Sequence, residues 1–145
     1  KRTAPIYAEE SVHCHFEDIP KIMKKGDIYV CPSLSEGFGI CSLNAMALGM
    51  PLITIRYGGS LEFAKPELCT YVEPKSYKTY LDMDGLPQFR NSIWPVIRIG
   101  DLRDAMIEVW KNYPTEKTRQ AYRFVHENFS YEPIGKQFIE ALNYA

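Results

Sequence analysis

The sequence of 145 residues lacks any apolar run near the roughly 18 residues that a membrane-spanning helix requires. It opens with Lys1, Arg2 and Thr3 and no apolar stretch follows, so no signal peptide is visible. Excess basic charge is also missing, because 17 Lys and Arg stand against 18 Asp and Glu and leave a net charge of −1. We therefore expect neither a membrane span nor a nucleic-acid partner, which a strongly basic domain would indicate.

Closely paired cysteines are absent as well. The four cysteines are Cys14, Cys31, Cys41 and Cys69, and no two of them form a C-x-x-C motif. We expect buried free thiols rather than disulfides, which is typical of a reducing compartment. The expected location is the cytoplasm, with the cytoplasmic face of a membrane as an alternative.

Several catalytic signatures are missing too. The glycines do not fit the G-x-G-x-x-G pattern of dinucleotide-binding proteins, and no serine stands in a G-x-S-x-G elbow. His13 and His15 would share one side of a strand, whereas Cys14 would point to the other. A metal ion at this place would lack a third ligand, so no metal is expected.

What the sequence does contain is a glycine-rich turn, Ser-Glu-Gly-Phe-Gly-Ile, at residues 35–40. An apolar strand is predicted at 27–31, a helix from about Ile40 to Leu48, and a second strand from Leu52 to Ile55. Strand, turn, helix and strand form one crossover unit of a parallel sheet. The first strand is apolar on both faces, which indicates a central position. Open α/β sheets bind ligands beyond the carboxyl ends of their strands, where this turn lies.

Short elements are predicted on either side of this unit. Residues 12–16 alternate weakly and could form a short strand. Asp18 is predicted to cap a short helix that stops at Gly26. A further short helix is predicted near Ser60, and a strand at 69–72.

The second half of the chain is predicted to be mainly helical. Residues 73–96 contain several prolines and look like an irregular insertion. Three helices should follow, with Asp101, Thr115 and Ser130 as N-caps. We expect an α/β fold with a parallel sheet, and one domain over residues 1–145. Because it has few strands and no initial Met, we expect it to be a fragment.

The residues of the turn limit the class of ligand that it could bind. Gly37 and Gly39 would let the backbone approach a ligand closely, and the start of the helix offers free N–H groups to a phosphate. Glu36 would repel a phosphate at contact distance, but its carboxylate suits sugar hydroxyls or positive charge that develops in a reaction. Together these demands describe a sugar attached to a diphosphate. The alternative is that Glu36 merely caps its helix and that the glycines form a tight turn.

An extended stretch resembles the donor-binding half of the GT-B glycosyltransferases of the GT4 type. Residues 36–54 read EGFGICSLNAMALGMPLIT and residues 58–62 read GGSLE. They are similar to the E-G-F-G, E-A-M-A-x-G-x-P-V and G-G-x-x-E patterns of that family. Pro32-Ser33, Val72-Glu73-Pro74 and Phe129-Ser130-Tyr131 match weaker family features. The likeness is close over 18–74 and loose over 97–143, and it implies a Rossmann-like sheet with flanking helices, followed by C-terminal helices.

The resemblance also implies roles for individual residues. Glu36 would be the catalytic acidic residue that contacts the donor sugar. The residues that would bind the donor sugar and its diphosphate are Gly37, Phe38, Gly39, Ile40, Gly58 and Gly59. The main chain at Leu43 would approach the nucleotide, and Asn44 would meet its ribose.

Two positions depart from the family pattern. Asn44 stands where a second acidic residue usually binds the ribose, and an amide loses the charge-assisted hydrogen bonds of a carboxylate. Arg56 stands where a small or acidic residue is usual, and it could reach a phosphate or have a structural or solvated role. Glu62 could orient its loop or cap the following helix. Aromatic residues of the insertion could line an acceptor groove or pack the loop; these are Tyr77, Tyr80, Phe89 and Trp94.

The function implied by the resemblance is retaining transfer of a hexose from a UDP- or GDP-sugar to a glycan, lipid or other hydroxyl acceptor. No metal or other cofactor is expected, and the acceptor domain should lie N-terminal to these residues. The isolated chain should then be nearly inactive. A non-catalytic sugar-nucleotide-binding or interaction module remains an alternative, and a GT-B epimerase or phosphorylase is a third.

Overall fold

The computed structural model describes residues 15–80 and 91–143. Two short 3-10 helices, Phe16–Asp18 and Gly59–Glu62, accompany the main elements. The α-helices are α1 (Ile19–Met23), α2 (Ile40–Ala47), α3 (Ile99–Lys111), α4 (Thr115–Phe129) and α5 (Tyr131–Asn143). The strands are β1 (Tyr29–Cys31), β2 (Leu52–Ile55), β3 (Thr70–Val72), β4 (Ser76–Tyr80) and β5 (Ser92–Val96). The strand predicted at 12–16 lies largely outside the described residues, and Phe16 begins a 3-10 helix.

A parallel sheet in the order β1-β2-β3 confirms the predicted α/β fold. All four residues of β2 are buried, whereas those of β1 are only partly buried. The prediction that residues 27–31 form a central strand was therefore wrong for the described sheet, because β2 lies in the centre and β1 at an edge. Apolar side chains on both faces of β1 are explained by helices that cover both sides of the sheet.

The two faces of the sheet carry different helices. Leu52 points to the side covered by α2 and α4, where it packs in a cluster with Met46, Phe63 and Val125. Its neighbour Ile53 points to the opposite side, where the cluster includes residues of α3. Successive side chains of a strand alternate between faces, so one short strand serves two layers. The sheet is therefore the middle one of three layers.

The segment at 73–96 contains a hairpin where an irregular insertion was predicted. Strands β4 and β5 pair in antiparallel fashion, with Tyr77 opposite Pro95 and Thr79 opposite Ile93. The prolines obscured this pattern, yet a proline is tolerated in a two-stranded ribbon where its nitrogen need not donate to the partner strand. Residues 81–90, including Phe89, lie outside the described residues.

The three predicted C-terminal helices are confirmed, but Asp101 does not cap α3. The N-cap position is Arg98, and Asp101 lies within the first turn of the helix. The carboxylate of Asp101 accepts hydrogen bonds from the Arg98 guanidinium at 3.0 and 3.2 Å and pairs with Lys75 at 3.4 Å. These hydrogen bonds lower the pKa of Asp101. The side chain thus joins the base of the hairpin to α3.

The other predicted caps also differ from the structure. Asp18 occupies the N-cap position of α1, but its carboxylate pairs with Lys21 at 2.9 Å instead of capping the helix. Pro114 is the N-cap of α4, so Thr115 already belongs to the helix. Ser130 donates its hydroxyl to the His126 carbonyl at 2.8 Å and thereby serves the end of α4.

The described cysteines are free thiols with different exposure. Cys69 is buried, Cys31 is half-buried and Cys41 is exposed, so the prediction of burial was wrong for Cys41. Cys41 lies in the first turn of α2, on the side that faces solvent. Burial raises the pKa of the Cys69 thiol to about 11. Cys14 lies outside the described residues.

Helix α5 has an unusual surface. It contains no buried residue, and it exposes the large apolar side chains of Tyr131, Phe138, Ile139 and Leu142. No helix in the described ranges combines the length and the apolar character needed to cross a membrane.

Candidate functional site

Three loops meet at the carboxyl edge of the parallel sheet. Residues 32–39 follow β1, residues 56–58 follow β2, and residues 73–75 follow β3. Because the strands are parallel, these loops leave from the same edge, which is the usual ligand-binding edge of an open α/β sheet. The predicted site residues all lie in the first two loops or in the elements directly after them.

The first two loops pack backbone against backbone. The Gly59 N–H donates to the Glu36 carbonyl at 3.0 Å, which joins residues 23 positions apart. Gly58 has φ 81° and ψ −165°, a conformation that essentially only glycine adopts. A Cβ added to Gly59 would lie 1.9 Å from the carbonyl oxygen of Gly37. Both glycines are therefore required by the contact between the loops, whether or not a ligand is bound.

The start of α2 has backbone N–H groups without partners among the described residues. Gly39, with φ 86°, is the N-cap and supplies no capping side chain, and the first helical hydrogen bond runs from Leu43 N–H to the Gly39 carbonyl at 3.1 Å. The backbone N–H groups of residues 37–42 have no acceptor within the described part of the chain. The buried Ser42 hydroxyl also lacks a partner there. Free N–H groups and the positive end of a helix dipole together favour a phosphate or a carboxylate.

Glu36 is half-buried and directly precedes residues 37–42 in the sequence. The thiol of Cys31 is 4.0 Å from Glu36 Oε1. Burial is the main reason why the pKa of Tyr29 rises to about 12, and the neighbouring Cys41, Cys31 and Glu36 add to the effect. The Tyr29 phenol therefore stays protonated near the carboxylate. Glu36 makes no capping hydrogen bond to α2, which argues against the alternative that it merely caps the helix.

The side chain of Phe38 fixes the glycine-rich turn through aromatic contacts. Its ring centroid lies 5.2 Å from that of Phe63 and 6.2 Å from that of Phe129. Aromatic pairs at such distances stabilise through both burial and ring geometry. The side chain of Phe38 therefore fixes the turn to the 3-10 helix and α4, and leaves its backbone N–H for a ligand.

The remaining predicted donor residues lie along α2. Ile40 begins the helix and is 54% exposed. The side chain of Leu43 is in the core and its N–H is used within the helix, so the expected approach of the nucleotide to its main chain stays a prediction. Asn44 is half-buried, and its side-chain amide has no hydrogen-bond partner among the described residues.

Arg56 has a structural setting. Its guanidinium pairs with Glu73 at 3.3 Å and lies 5.6 Å from the centroid of the Tyr71 ring, so it connects the ends of β2 and β3. Glu62, at the end of its 3-10 helix, is exposed. Within the described ranges no three His, Cys, Asp or Glu side chains form a group that could hold a metal ion, and the expectation of metal-free chemistry stays a prediction.

Two aromatic residues near the site were missed by sequence reasoning. Tyr29 precedes Cys31 in β1, and alternation along the strand could have placed it on the side of Glu36. Tyr57 directly precedes Gly58, and its hydroxyl donates to the Ile93 carbonyl in the hairpin. The position of Tyr57 beside a Gly-Gly pair was the available signal, but its partner lies 36 residues away.

Comparison with known proteins shows that part of this chain is similar to a known family. Residues 12–82 match the family model described as "Glycosyl transferases group 1". The match spans the sheet, the turn and α2, and it ends at the hairpin. The sheet and the turn belong to the part of the chain that is similar to this glycosyltransferase family, and several relatives of the chain carry the name glycosyltransferase.

Three relatives illustrate the likeness. Uncharacterized protein 356 of Sulfolobus islandicus rod-shaped virus 1 is 26% identical over 88% of this chain and 36% of its own length. An uncharacterized glycosyltransferase of Methanocaldococcus jannaschii, MJ1607, is 39% identical over 41% of this chain and 16% of its own length. The Escherichia coli UDP-Gal:alpha-D-GlcNAc-diphosphoundecaprenol alpha-1,3-galactosyltransferase is 29% identical over 58% of this chain and 19% of its own length. The chain thus spans at most 36% of these relatives.

Proposed function

We propose that this chain is the donor-binding part of a retaining GT-B glycosyltransferase of the GT4 type. It would take a hexose from a UDP- or GDP-sugar and pass it to a hydroxyl acceptor. One observation carries the proposal: Glu36 directly precedes six consecutive residues, 37–42, whose backbone N–H groups have no acceptor among the described residues. The N–H groups can donate hydrogen bonds to a diphosphate, and the carboxylate can accept them from sugar hydroxyls. A sugar diphosphate would therefore engage both parts of the site.

Each part of the site has a task in this reaction. The bond between the anomeric carbon and the diphosphate oxygen breaks, and its electron pair leaves on the diphosphate. The N–H groups and the dipole of α2 stabilise that charge, because they are already oriented before the reaction. Glu36 accepts hydrogen bonds from the sugar hydroxyls and stabilises positive charge on the sugar. The acceptor oxygen then bonds to the same face of the carbon, and its proton passes to the oxygen of the departing diphosphate.

The acceptor is proposed by analogy and by chemistry. The E. coli relative carries in its name a UDP-sugar donor and a sugar on a lipid diphosphate as acceptor. A UDP-sugar donor and a glycan or lipid-linked hydroxyl acceptor are the corresponding proposals for this chain. The acceptor domain would be N-terminal to these residues, and exposed apolar side chains of α5 offer a surface against which it could pack.

Asn44 supports a second candidate function. An amide in place of the usual carboxylate would bind the ribose less strongly, since it cannot make charge-assisted hydrogen bonds. A module that binds a sugar nucleotide without turning it over would tolerate this loss. Binding of a nucleotide sugar by the whole protein, without release of the nucleoside diphosphate in the presence of any acceptor, would favour this candidate over the enzyme.

The test of the proposed function compares the whole protein with residues 1–145 alone. Both are incubated with a panel of UDP- and GDP-sugars and hydroxyl acceptors, and nucleoside diphosphate release is measured. We expect transfer by the whole protein, with the anomeric configuration of the donor retained in the product. We expect almost none by residues 1–145, because the proposal assigns the acceptor site to a separate N-terminal domain. Absence of both binding and transfer in the whole protein would contradict the proposal.

A further inference from the structure

The hairpin of β4 and β5 lies next to the candidate site. It leaves the sheet after β3, at the same carboxyl edge as the turn that carries Glu36. Its base is closed by a hydrogen bond from the Lys75 N–H to the Val96 carbonyl at 2.8 Å, and Lys75 also pairs with Asp101 of α3 at 3.4 Å. The hairpin is therefore fixed to the body of the domain and can serve as a support.

Tyr57 contacts both strands of this support. Its ring centroid lies 5.9 Å from that of Tyr77 in β4, with the rings tilted by 52°. Its hydroxyl donates to the carbonyl of Ile93 in β5. A ring contact and a hydrogen bond together restrict both the position and the rotation of the Tyr57 side chain.

The backbone of Tyr57 leads directly into the contact between the two glycine-rich loops. Its own N–H donates to the Ile55 carbonyl at 2.8 Å, and its carbonyl accepts from the Ser60 hydroxyl at 3.5 Å. Two residues further on, the Gly59 N–H donates to the Glu36 carbonyl. A continuous series of contacts thus runs from the hairpin through Tyr57 and Gly59 to the backbone of Glu36.

We propose that Tyr57 is a positioning residue, which uses the hairpin to hold Gly59 against Glu36 and thereby orients the Glu36 carboxylate toward the donor sugar. The effect on transfer rests on the proposed function, whereas the mechanical link from Tyr57 to Gly59 does not. Loss of the Tyr57 hydroxyl frees the loop of residues 56–60 locally. The donor can still bind, but the carboxylate is less often in the productive orientation, which lowers the turnover number more than the donor affinity.

The test uses Tyr57→Phe in the whole protein, because this variant keeps the ring and removes only the hydroxyl. Tyr113→Phe is the matched control, since it makes the same change at a half-exposed tyrosine between α3 and α4. Peptide-resolved hydrogen exchange reports the loop directly. For Tyr57→Phe we expect exchange at residues 57–61 to accelerate about five- to tenfold, as loss of one hydrogen bond allows. Exchange in β2 and α2 should stay as in the wild type, and Tyr113→Phe should leave the loop unchanged.

Kinetics of donor turnover form the second arm of the same experiment. We expect the kcat of Tyr57→Phe to fall about five- to tenfold, while the KM for the donor changes less than twofold. The kcat of Tyr57→Ala should fall further, because this variant also loses the ring contact. Unchanged exchange at residues 57–61 would overturn the proposal, and so would faster exchange with an unchanged kcat. If the wild type turns over no donor, the proposed function fails, whereas the exchange result still decides whether Tyr57 holds the loop.

Discussion

Gly59→Ala is expected to lower the free energy of unfolding by about 3 kcal/mol and to abolish measurable donor turnover. The added Cβ would lie 1.9 Å from the Gly37 carbonyl oxygen and 3.0 Å from the Phe38 Cα, which are backbone atoms that cannot rotate away. One of the two loops must therefore move, and the hydrogen bond from Gly59 to Glu36 is lost. Urea unfolding measures the stability, and release of nucleoside diphosphate measures the turnover.

Gly37→Ala is the matched control for this change. A Cβ at Gly37 would meet nothing within 4 Å, and its φ lies outside the positive region. We expect Gly37→Ala to retain wild-type stability within about 1 kcal/mol, since glycine and alanine differ by about this much in ordinary backbone conformations. Wild-type stability and turnover in Gly59→Ala would mean that the two loops do not pack as described.

Glu36→Ala is expected to lower the turnover number of the whole protein at least about 100-fold, because a preoriented charged contact to the reacting sugar is removed. The fold should persist, since the side chain of Glu36 is only half-buried and caps no helix. Turnover is measured at saturating donor, so that weaker binding does not mimic slower chemistry.

Two further variants separate charge from structure in that experiment. Glu62→Ala removes an exposed carboxylate from the adjacent 3-10 helix and should change turnover less than about threefold, as is usual for surface substitutions. Glu36→Gln keeps a hydrogen-bonding side chain without the charge. If the charge stabilises the transition state, Glu36→Gln is nearly as slow as Glu36→Ala. Turnover near that of the wild type in Glu36→Ala would exclude Glu36 as the catalytic residue.

Local signals explain which elements could be predicted from the sequence. Gly39, Gly49 and Pro51 bound the helix from Ile40 to Ala47 and the strand Leu52–Ile55. The ends of these two elements can therefore be predicted from adjacent residues. The helices after residue 99 have apolar residues three and four apart, which fixed their number and approximate ends. These features depend on neighbours in the sequence and need no knowledge of the fold.

Competition between partners explains the wrong caps and the missed hairpin. Asp101 has the side chain of an N-cap, but it pairs with the charged side chains of Arg98 and Lys75. These charge-assisted contacts are stronger than a hydrogen bond from a neutral backbone N–H. In the hairpin, Pro95 interrupts the alternating pattern by which a strand is predicted. The contact between Tyr77 and Tyr57 exists only in the folded structure, because the two residues are 20 positions apart. Each of these outcomes depends on residues that are brought together by the fold.

The same distinction applies to the candidate site. Glu36, the glycines and the start of α2 were identifiable because they are consecutive and each has a clear chemical character. The contact of Gly59 with Glu36 could not be predicted, since 23 residues separate the two and only the parallel strands bring their loops together. The sequence also could not show that the first N–H groups of α2 lack partners, because a side chain from elsewhere in the fold could have accepted their hydrogen bonds.

The most direct test of the account is the response of individual glycine amides to a nucleotide-diphosphate sugar. The whole protein, labelled with ¹⁵N-glycine, is titrated with UDP- and GDP-sugars while its NMR spectrum is recorded. We predict that the amide signals of Gly37, Gly39 and Gly59 shift with the same saturation curve, while those of Gly100 and Gly135 in the C-terminal helices stay in place. Saturable binding that leaves Gly37, Gly39 and Gly59 unshifted would contradict the assignment of the donor site to this turn.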